Sequence, residues 1–410
     1  MPTTRLSLDF GGTIAEVSMD FLQFRAVKYA HFLQLLLKIN TGAELSEAEQ
    51  AEHAYLSRNL YHIYKRDDIT EGLARRGGLP RHSFDEFCTV TAKLFLQMLD
   101  HLLAGDMRGV LDGEEKVVFT VKVVDGIKKD LLAYHDEIIS TPDHVWLWIS
   151  GQTLLGRMYV PWLLTGRFDA SFFLRTLSHE LEHQVEHKRG LYNREYAMQD
   201  RIEQWMERDG NNWLGCMAPL YTIFCDTYTE GVAMFAETQH RESFSIEQPR
   251  LKTMYGTLCA IARETDAGRA EKMSDKEFTP TSQDGTYYLG RLMCYTIGLA
   301  RQLHNVSIRS LSPEQRWLDN RSIGAYLREN LTVSLAGLEP DVFSDTLKEL
   351  QGIHHHRQFI KAYTQACDYL GLVRPIRFLD QELFDWLKRT ATAARADAVK
   401  VVAERFDSAA

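Results

Sequence analysis

The sequence predicts a mainly α-helical protein with a small β-sheet near its middle, an α+β fold. The first observation is that apolar residues recur at helical spacing in three N-terminal stretches, Asp20 to Asn40, Ser46 to Lys65 and Ser83 to Leu103. The second is that, after a short N-terminal hairpin, the strand-like patterns lie at residues 117–124 and 144–162. The third is an almost continuous series of helical patterns from there to the C-terminus.

The N-terminal residues predict a β-hairpin. Leu6 to Ile14 contains the pair Gly11-Gly12, which suits a tight turn, and the residues after it are expected to turn helical. The stretch resembles the phosphate-binding hairpin of sugar-kinase-like ATPases, and it half-resembles a phosphatase nucleophile loop with Gly11 in place of the second aspartate. Because the later motifs of neither family are found, a plain hairpin turn is the simpler interpretation.

The first third of the chain contains further signals for helix starts and for a turn. The helices that begin at Ser46 and Ser83 open with capping boxes, because a glutamate follows each serine three residues later. The pair Asp112-Gly113 predicts the turn of a second hairpin, which leads into an alternating strand from Val117 to Val124.

The middle of the chain predicts a short helix followed by two strands. The helix is expected near Lys128 to Tyr134. The first strand covers Val145 to Ile149 and the second covers Leu154 to Val160, with a turn between them.

The most informative stretch is His179-Glu180-Leu181-Glu182-His183, an HExxH motif. It lies inside a predicted helix from Arg167 to Gly190, with Asp169 as N-cap and the terminal glycine as stop signal. Residues four apart lie on one face of a helix, so both imidazoles can hold the same metal ion. Glu180 can then reach the water bound to that ion.

A third protein ligand is needed to complete a catalytic zinc site. The best candidate is Glu230, on a second predicted helix from about Leu220 to Arg241. The small residue Gly231 would allow this helix to approach the motif helix closely. Two further carboxylates, those of Asp226 and Glu237, lie on the same face of this helix as Glu230. They are expected to orient the two histidines through hydrogen bonds.

An HExxH motif followed by a glutamate ligand on a later helix is the gluzincin arrangement. The run Glu230 to Glu237 resembles the EGWALYAE stretch of a family of largely uncharacterised bacterial gluzincins, and Leu289 to Gly298 is similar to that family's PGQALAYKIG stretch. The resemblance covers roughly Phe172 to Arg301, and Arg291 replaces the family's glutamine. Those relatives usually carry extra residues between the metal-binding glutamate and the second histidine. The resemblance implies a zincin-like fold with one Zn²⁺ per chain, which we expect in a deep groove between two helical lobes.

Candidate catalytic side chains lie on another predicted helix, from about Thr286 to Gln302. Tyr288, Arg291 and Tyr295 share one face of this helix. Tyr295 matches a tyrosine of the similar family, so we expect it to donate a hydrogen bond to the developing oxyanion, with Tyr288 as second candidate. Arg291 could clamp a substrate carboxylate, which would favour carboxypeptidase-type or dipeptide substrates. Glu180 is the expected general base.

The motif can also be interpreted in the inverted order HxxEH, at His179 to His183 or at His183 to His187. The base would then be Glu182 or Glu186. We favour the direct order because the later Glu-Gly patch accompanies it in the similar family. In that order both of these glutamates are expected to face solvent. His187 is then expected at the helix end, where the helix dipole favours a cation.

Composition limits the classes of partner and location. The chain has 410 residues, of which 45% are hydrophobic and 25% charged, as in ordinary globular proteins. The net charge of −9 argues against nucleic acid as a partner. No apolar stretch approaches the ~20 residues of a membrane span, and no signal core is found at the start. With six scattered cysteines and no CxxC pair, a cytoplasmic location with reduced thiols is expected.

The predicted division of the chain is a mostly helical lobe over residues 1–140 and a zinc-binding catalytic region over residues 141–410, although the two could form one continuous domain. The internal run His354 to His356 is interpreted as a polar helix start or loop. These features predict a zinc-dependent metallohydrolase that cleaves short peptides or small peptide-like amides. Two alternatives stay open: a biosynthetic enzyme on the same zinc scaffold acting on one small metabolite, or a non-catalytic zinc-binding or regulatory protein.

Overall fold

A computed structural model of the protein describes residues 3–56, 84–125, 133–190 and 227–237, and short stretches beyond them. Those stretches are residues 290, 291, 293, 294, 297, 298, 300, 346–351, 359, 362, 363, 365 and 366. The chain forms two compact units, Met1–Lys188 and Arg189–Ala410. The division predicted at residues 140 and 141 stays a prediction. None of the helices in the described ranges is both long and apolar enough to cross a bilayer.

The first unit contains a five-stranded sheet with the strand order β1-β2-β3-β5-β4. The central strands β2, β3 and β5 are parallel to one another, and each outer strand pairs antiparallel with its neighbour. The five strands are β1 (Thr3–Asp9), β2 (Ile14–Gln23), β3 (Lys116–Val124), β4 (Ala133–His135) and β5 (His144–Ser150).

The helices of this unit combine with the sheet into a mixed fold, so the predicted α+β class is confirmed at that level. A three-residue 3₁₀ turn, Arg108–Val110, precedes β3, and a π-helical stretch, Leu154–Tyr159, lies between α4 and α5. The α-helices are α1 (Ala26–Thr41), α2 (Glu47–Leu56), α3 (Phe84–Ala104), α4 (Gly151–Thr153), α5 (Val160–Thr165) and α6 (Ala170–Lys188).

The core lies on one face of the sheet, where side chains alternate between buried and partly exposed positions. Helix α3 contacts β1 and β2 on this side, and it also contacts α6. Phe87 of α3 links several of these elements, because its ring centroid lies 5.2 Å from that of Tyr159 and 5.7 Å from those of Phe21 and Phe24. Burying one such aromatic side chain contributes roughly 1.5–3 kcal/mol.

The predicted N-terminal hairpin is confirmed, but its second strand is longer than expected. Strand β2 continues to Gln23, so the predicted helix start at Asp20 is wrong, and α1 begins at Ala26. Parallel pairing with β3 extends the strand, and this partner is about a hundred residues away in the chain. In the hairpin turn, Oδ1 of Asp9 accepts the N–H groups of Gly11 (3.0 Å) and Gly12 (3.4 Å). A carboxylate on these donors opposes phosphate binding there.

The strand predicted at Val117 to Val124 is confirmed, whereas the hairpin predicted to lead into it, with Asp112-Gly113 as its turn, is wrong. Strand β3 pairs in parallel with β2 and β5, and the residues before Asp112-Gly113 form a 3₁₀ turn instead of a strand. The end of the helix predicted over Lys128 to Tyr134 is also wrong, because Ala133–His135 is strand β4. The earlier residues of that predicted helix lie outside the described ranges.

The strand predicted at Leu154 to Val160 is wrong, because this segment belongs to a helical stretch from Gly151 to Thr165. Its apolar side chains are almost all buried. A short, continuous apolar run fits a buried strand and a buried helix equally well, so its pattern does not separate the two. The preceding strand, β5, is confirmed at His144–Ser150.

The second unit is described only through helical residues. Residues 227–236 form a helix, and the described residues between 290 and 300, at 346–351 and between 359 and 366 are also helical. The hydroxyl of Tyr228 donates to the carbonyl oxygen of Leu350 (3.1 Å), and its ring centroid lies 5.2 Å from that of Phe359. The helix 227–236 is thus packed against two later segments of the same unit.

Candidate metal centre

Helix α6 presents the HExxH motif in its interior. At its start, Oδ1 of Asp169 accepts the backbone N–H of Ser171 (3.0 Å), as an N-cap residue does. The helix ends at Lys188, and Gly190 follows with a φ of 69°, a left-handed conformation that suits glycine. The predicted helix and both of its end signals are confirmed.

The three predicted metal ligands form one candidate metal-binding group. One ligand atom from each of His179, His183 and Glu230 lies within 4.8 Å of the other two. The two imidazole rings have centroids 4.8 Å apart and planes at 82°. In the part of the chain that the structure describes, no other set of three His, Cys, Asp or Glu side chains is arranged to hold an ion.

The chemistry of this donor set fits zinc. Two imidazole nitrogens and one carboxylate oxygen are a usual set for a catalytic zinc ion, whose fourth position is left for water. Two ligands that each lie about 2.1 Å from one ion are at most about 4.2 Å apart. The ligand atoms lie up to 4.8 Å apart in the structure, so binding an ion requires the longest of these distances to shorten by roughly half an ångström. Small side-chain rotations can supply this change.

The glutamates of α6 are more deeply buried than predicted. Glu180 is 7% exposed, close to the 9% of His179 and the 8% of His183. Glu182 and Glu186 are 0% and 2% exposed, so the prediction that they face solvent is wrong. The physical reason is that α6 is packed on several sides, with every residue from 177 to 186 buried. Of the three carboxylates, that of Glu180 has the greatest access to a substrate.

Glu186 has a candidate role, as a partner of a metal-binding histidine, that the sequence analysis did not assign to it. Its Oε2 lies 3.5 Å from Nδ1 of His183, three residues earlier in the helix. A carboxylate at this position favours a proton on Nδ1 and leaves Nε2 as the metal-binding atom. The spacing of three within the motif was the signal that could have found this role. In the inverted order Glu186 would instead be the base, an alternative that stays open.

His187 lies in the last turn of α6, as predicted, and is half-buried. Burial lowers the pKa of this imidazole, and Glu137 opposes the shift to a smaller extent. The neutral ring is therefore favoured. A neutral ring gains less from the helix dipole than the cation expected from the sequence.

Strand β4 adds a histidine that the sequence did not point to. The backbone N–H of His135 donates to Oε2 of Glu180 (2.6 Å), and its Nε2 is 2.7 Å from Oε1 of Gln184. Burial, followed by the nearby His183, lowers the pKa of His135 to about 3, so its ring is neutral. His135 was missed because the preceding residues were expected to form a helix, and no local pattern relates β4 to α6.

The remaining predicted site residues fall into two groups. Glu237 is described at the end of the helix 227–236, and Arg291 is helical but only 1% exposed. A substrate carboxylate would have to reach an almost completely buried guanidinium group, and the Arg291 clamp stays a prediction. The roles predicted for a second group stay predictions because these residues lie outside the described ranges: Asp226, Tyr288, Tyr295 and His354 to His356.

Comparison of the chain with protein-family models, with curated proteins and with solved structures gave no match.

Proposed function

We propose that this chain is a zinc-dependent metallopeptidase of the gluzincin type that cleaves short peptides or small peptide-like amides. The observation that carries the proposal is the grouping of His179, His183 and Glu230, whose ligand atoms lie within 4.8 Å of one another. HExxH alone supplies two ligands; the later glutamate supplies the third ligand that a catalytic site requires.

Zinc, when bound, would supply Lewis acidity and lower the pKa of a coordinated water molecule to about 7. Within the proposal, Glu180 is the base that accepts a proton from the attacking water and passes it to the leaving amine. Its Oε2 accepts the N–H of His135. Within the proposal, the other carboxylate oxygen, Oε1, holds this proton. Glu186 would keep the imidazole of His183 oriented toward the metal.

The sheet edge formed by β4 is the proposed place for an extended substrate. Strand β4 is the last strand in the sheet order and is antiparallel to β5, and it also contacts the motif helix. Edge strands offer backbone groups with which a peptide can pair, and on β4 these are outward groups other than the N–H of His135, which donates to Glu180. We propose a zincin-like fold on this basis, and the two helical lobes are part of the same proposal.

Metal analysis of protein purified without a histidine tag is the first test. We expect about one zinc ion per chain in the native protein and its loss in Glu230→Ala. Glu180→Gln should retain zinc and lose peptidase activity, because an amide cannot accept the proton. Activity is measured by incubating the protein with a mixture of synthetic peptides and identifying the new ends by mass spectrometry.

Each result has a defined consequence. An active Glu180→Gln variant contradicts the direct order of the motif, and Glu182→Gln and Glu186→Gln then test the inverted orders. Zinc without cleavage of any peptide overturns the peptidase and leaves the biosynthetic or non-catalytic alternatives. Protein that binds no zinc overturns the metal centre itself.

A further inference from the structure

The sheet edge and the motif helix are joined by a short hydrogen bond at the proposed base. The N–H of His135 donates to Oε2 of Glu180 at 2.6 Å, and both residues are buried. The next N–H in the chain, that of Asp136, donates to the carbonyl of Trp146 near the start of β5. Because successive residues of a strand point their backbone groups to opposite sides, the His135 N–H points away from β5.

A second hydrogen bond joins the same two elements one helical turn later. Nε2 of His135 is 2.7 Å from Oε1 of Gln184, and Nε2 of Gln184 donates to the carbonyl of Thr141 (2.8 Å). The Thr141 carbonyl fixes the orientation of the amide, since a carbonyl only accepts. The Gln184 oxygen then faces His135, so the histidine Nε2 carries the proton.

The two hydrogen bonds have different effects. Glu180 and Gln184 are four residues apart and lie on one face of α6, so His135 contacts that face through its backbone and its ring. The ring bond fixes the strand against the helix. The backbone bond then fixes one carboxylate oxygen of Glu180, because a buried charged acceptor favours a short bond to a fixed donor.

We propose that His135 is a positioning residue for Glu180: its ring anchors β4 to Gln184, and its backbone N–H holds Oε2 so that Oε1 is directed to the reacting water. This inference rests on the proposed function for its catalytic meaning. The hydrogen bonds that carry it are independent of substrate and metal. Restraining a base by a fixed donor reduces the number of unproductive orientations of its carboxylate.

Amide exchange tests the backbone bond directly. Hydrogen–deuterium exchange of the full chain, resolved at the His135 amide, is compared between the wild type, Glu180→Gln and Glu180→Ala. The Gln variant keeps an acceptor and should retain protection, whereas the Ala variant should exchange about tenfold faster or more. Equal protection in all three proteins overturns the proposal, whether or not the protein is a peptidase.

Side-chain variants test the positioning role. His135→Phe keeps a ring but removes the donor to Gln184, and His135→Gln restores a donor. With the peptide cleaved fastest in the mixture, we expect kcat of the Phe variant to fall roughly ten- to a hundredfold with little change in KM or zinc content. The Gln variant should recover part of this loss.

A matched control is available on the same sheet. His144 of β5 makes a similar bond, with its Nε2 2.8 Å from Oγ1 of Thr120. His144→Phe should leave kcat unchanged. Wild-type kcat in folded, zinc-loaded His135→Phe, or an equal loss in His144→Phe, overturns the positioning role. If the wild type cleaves no peptide, the proposed function fails, and the amide exchange still decides whether His135 holds Glu180.

Discussion

Gly231 and Gly290 meet at a helix crossing that leaves no room for a side chain. A Cβ atom on Gly231 would lie 2.5 Å from the Cα of Gly290, and a Cβ on Gly290 would lie 1.9 Å from the carbonyl oxygen of Thr227. Gly231 directly follows the proposed ligand Glu230, and Gly290 directly precedes Arg291. From the sequence, Gly231 was expected to let its helix pack closely against the motif helix. The close contact observed at Gly231 is with Gly290.

Replacing Gly231 with alanine should therefore disturb the metal centre as well as the fold. The added methyl group meets backbone atoms, which cannot rotate away, so the helices must separate. We expect a loss of about 1–3 kcal/mol in the free energy of unfolding, and weaker zinc binding because Glu230 moves with its helix. Denaturant unfolding and zinc titration measure the two effects.

Gly298→Ala is the matched control for this crossing. The nearest atom to its added Cβ is Cγ2 of Thr346 at 3.4 Å, an ordinary contact with a side chain. This variant should bind zinc as the native protein does. Native stability and zinc affinity in Gly231→Ala would show that the crossing adapts without moving Glu230.

The buried carboxylate of Glu186 should matter for metal affinity although it is not a proposed ligand. Its Oε2 lies 3.5 Å from Nδ1 of His183, and removing such an orienting partner typically costs 10–100-fold in metal affinity. Glu186→Gln should therefore weaken zinc binding by about this factor. The measurement is competition with a chelator of known affinity.

The control for the Glu186 variant is Glu114→Gln. Oε1 of Glu114 lies 3.5 Å from Nζ of Lys188, the last residue of the same helix, and is partly exposed. This substitution also replaces a carboxylate beside α6, but the partner of this carboxylate is a lysine and not a proposed metal ligand. If both variants lose zinc affinity equally, net charge is the cause and the orientation of His183 is not.

The start of the motif helix gives a prediction about stability alone. Asp169→Ala removes the acceptor for the N–H of Ser171 and should cost about 1 kcal/mol of unfolding free energy. Ser171→Ala removes only the side-chain bond between the two residues and should cost less. Zinc affinity should stay native in both, because the cap lies more than two turns from His179. A larger loss in Ser171→Ala would contradict the capping role.

Features encoded by neighbouring residues could be predicted from the sequence. The capping box of α2 is one example: Oε2 of Glu49 accepts the N–H of Ser46 (3.0 Å), and Oγ of Ser46 accepts the N–H of Glu49 (3.4 Å). The caps of α6 are another. The grouping of the motif histidines with Glu230 was predicted from the ligand requirement of zinc and from a family resemblance.

Features set by distant partners could not be predicted in this way. Strand β2 pairs with β3, which places Ile14 opposite Lys116. The same pairing places Asp20, which was expected to begin a helix, in a strand. The short strand β4 depends on β5, and the contact of His135 with Glu180 depends on both. The burial of Glu182 likewise follows from elements packed around α6. No local pattern in the sequence reports any of these partners.

The neutral ring of His135 should make the fold sensitive to acid. Its pKa is lowered to about 3, below the usual value of 6.5, chiefly because burial disfavours the charged ring. Between these two pH values the unfolded chain binds a proton at this ring that the folded chain does not. The free energy of unfolding should therefore fall as the pH decreases from about 6.5 toward 3, by an amount of the order of a few kcal/mol.

Comparison with His135→Gln isolates this effect, because the amide does not titrate and can still donate to Gln184. Unfolding free energies of the zinc-free proteins are measured by denaturant between pH 3 and pH 7. The native protein should lose more stability than the variant on acidification. The slopes of unfolding free energy against pH should differ by up to the value that corresponds to one bound proton. The other histidines are common to both proteins and should largely cancel. Parallel curves would mean that the folded protein accommodates a charged His135 and that burial does not keep its ring neutral.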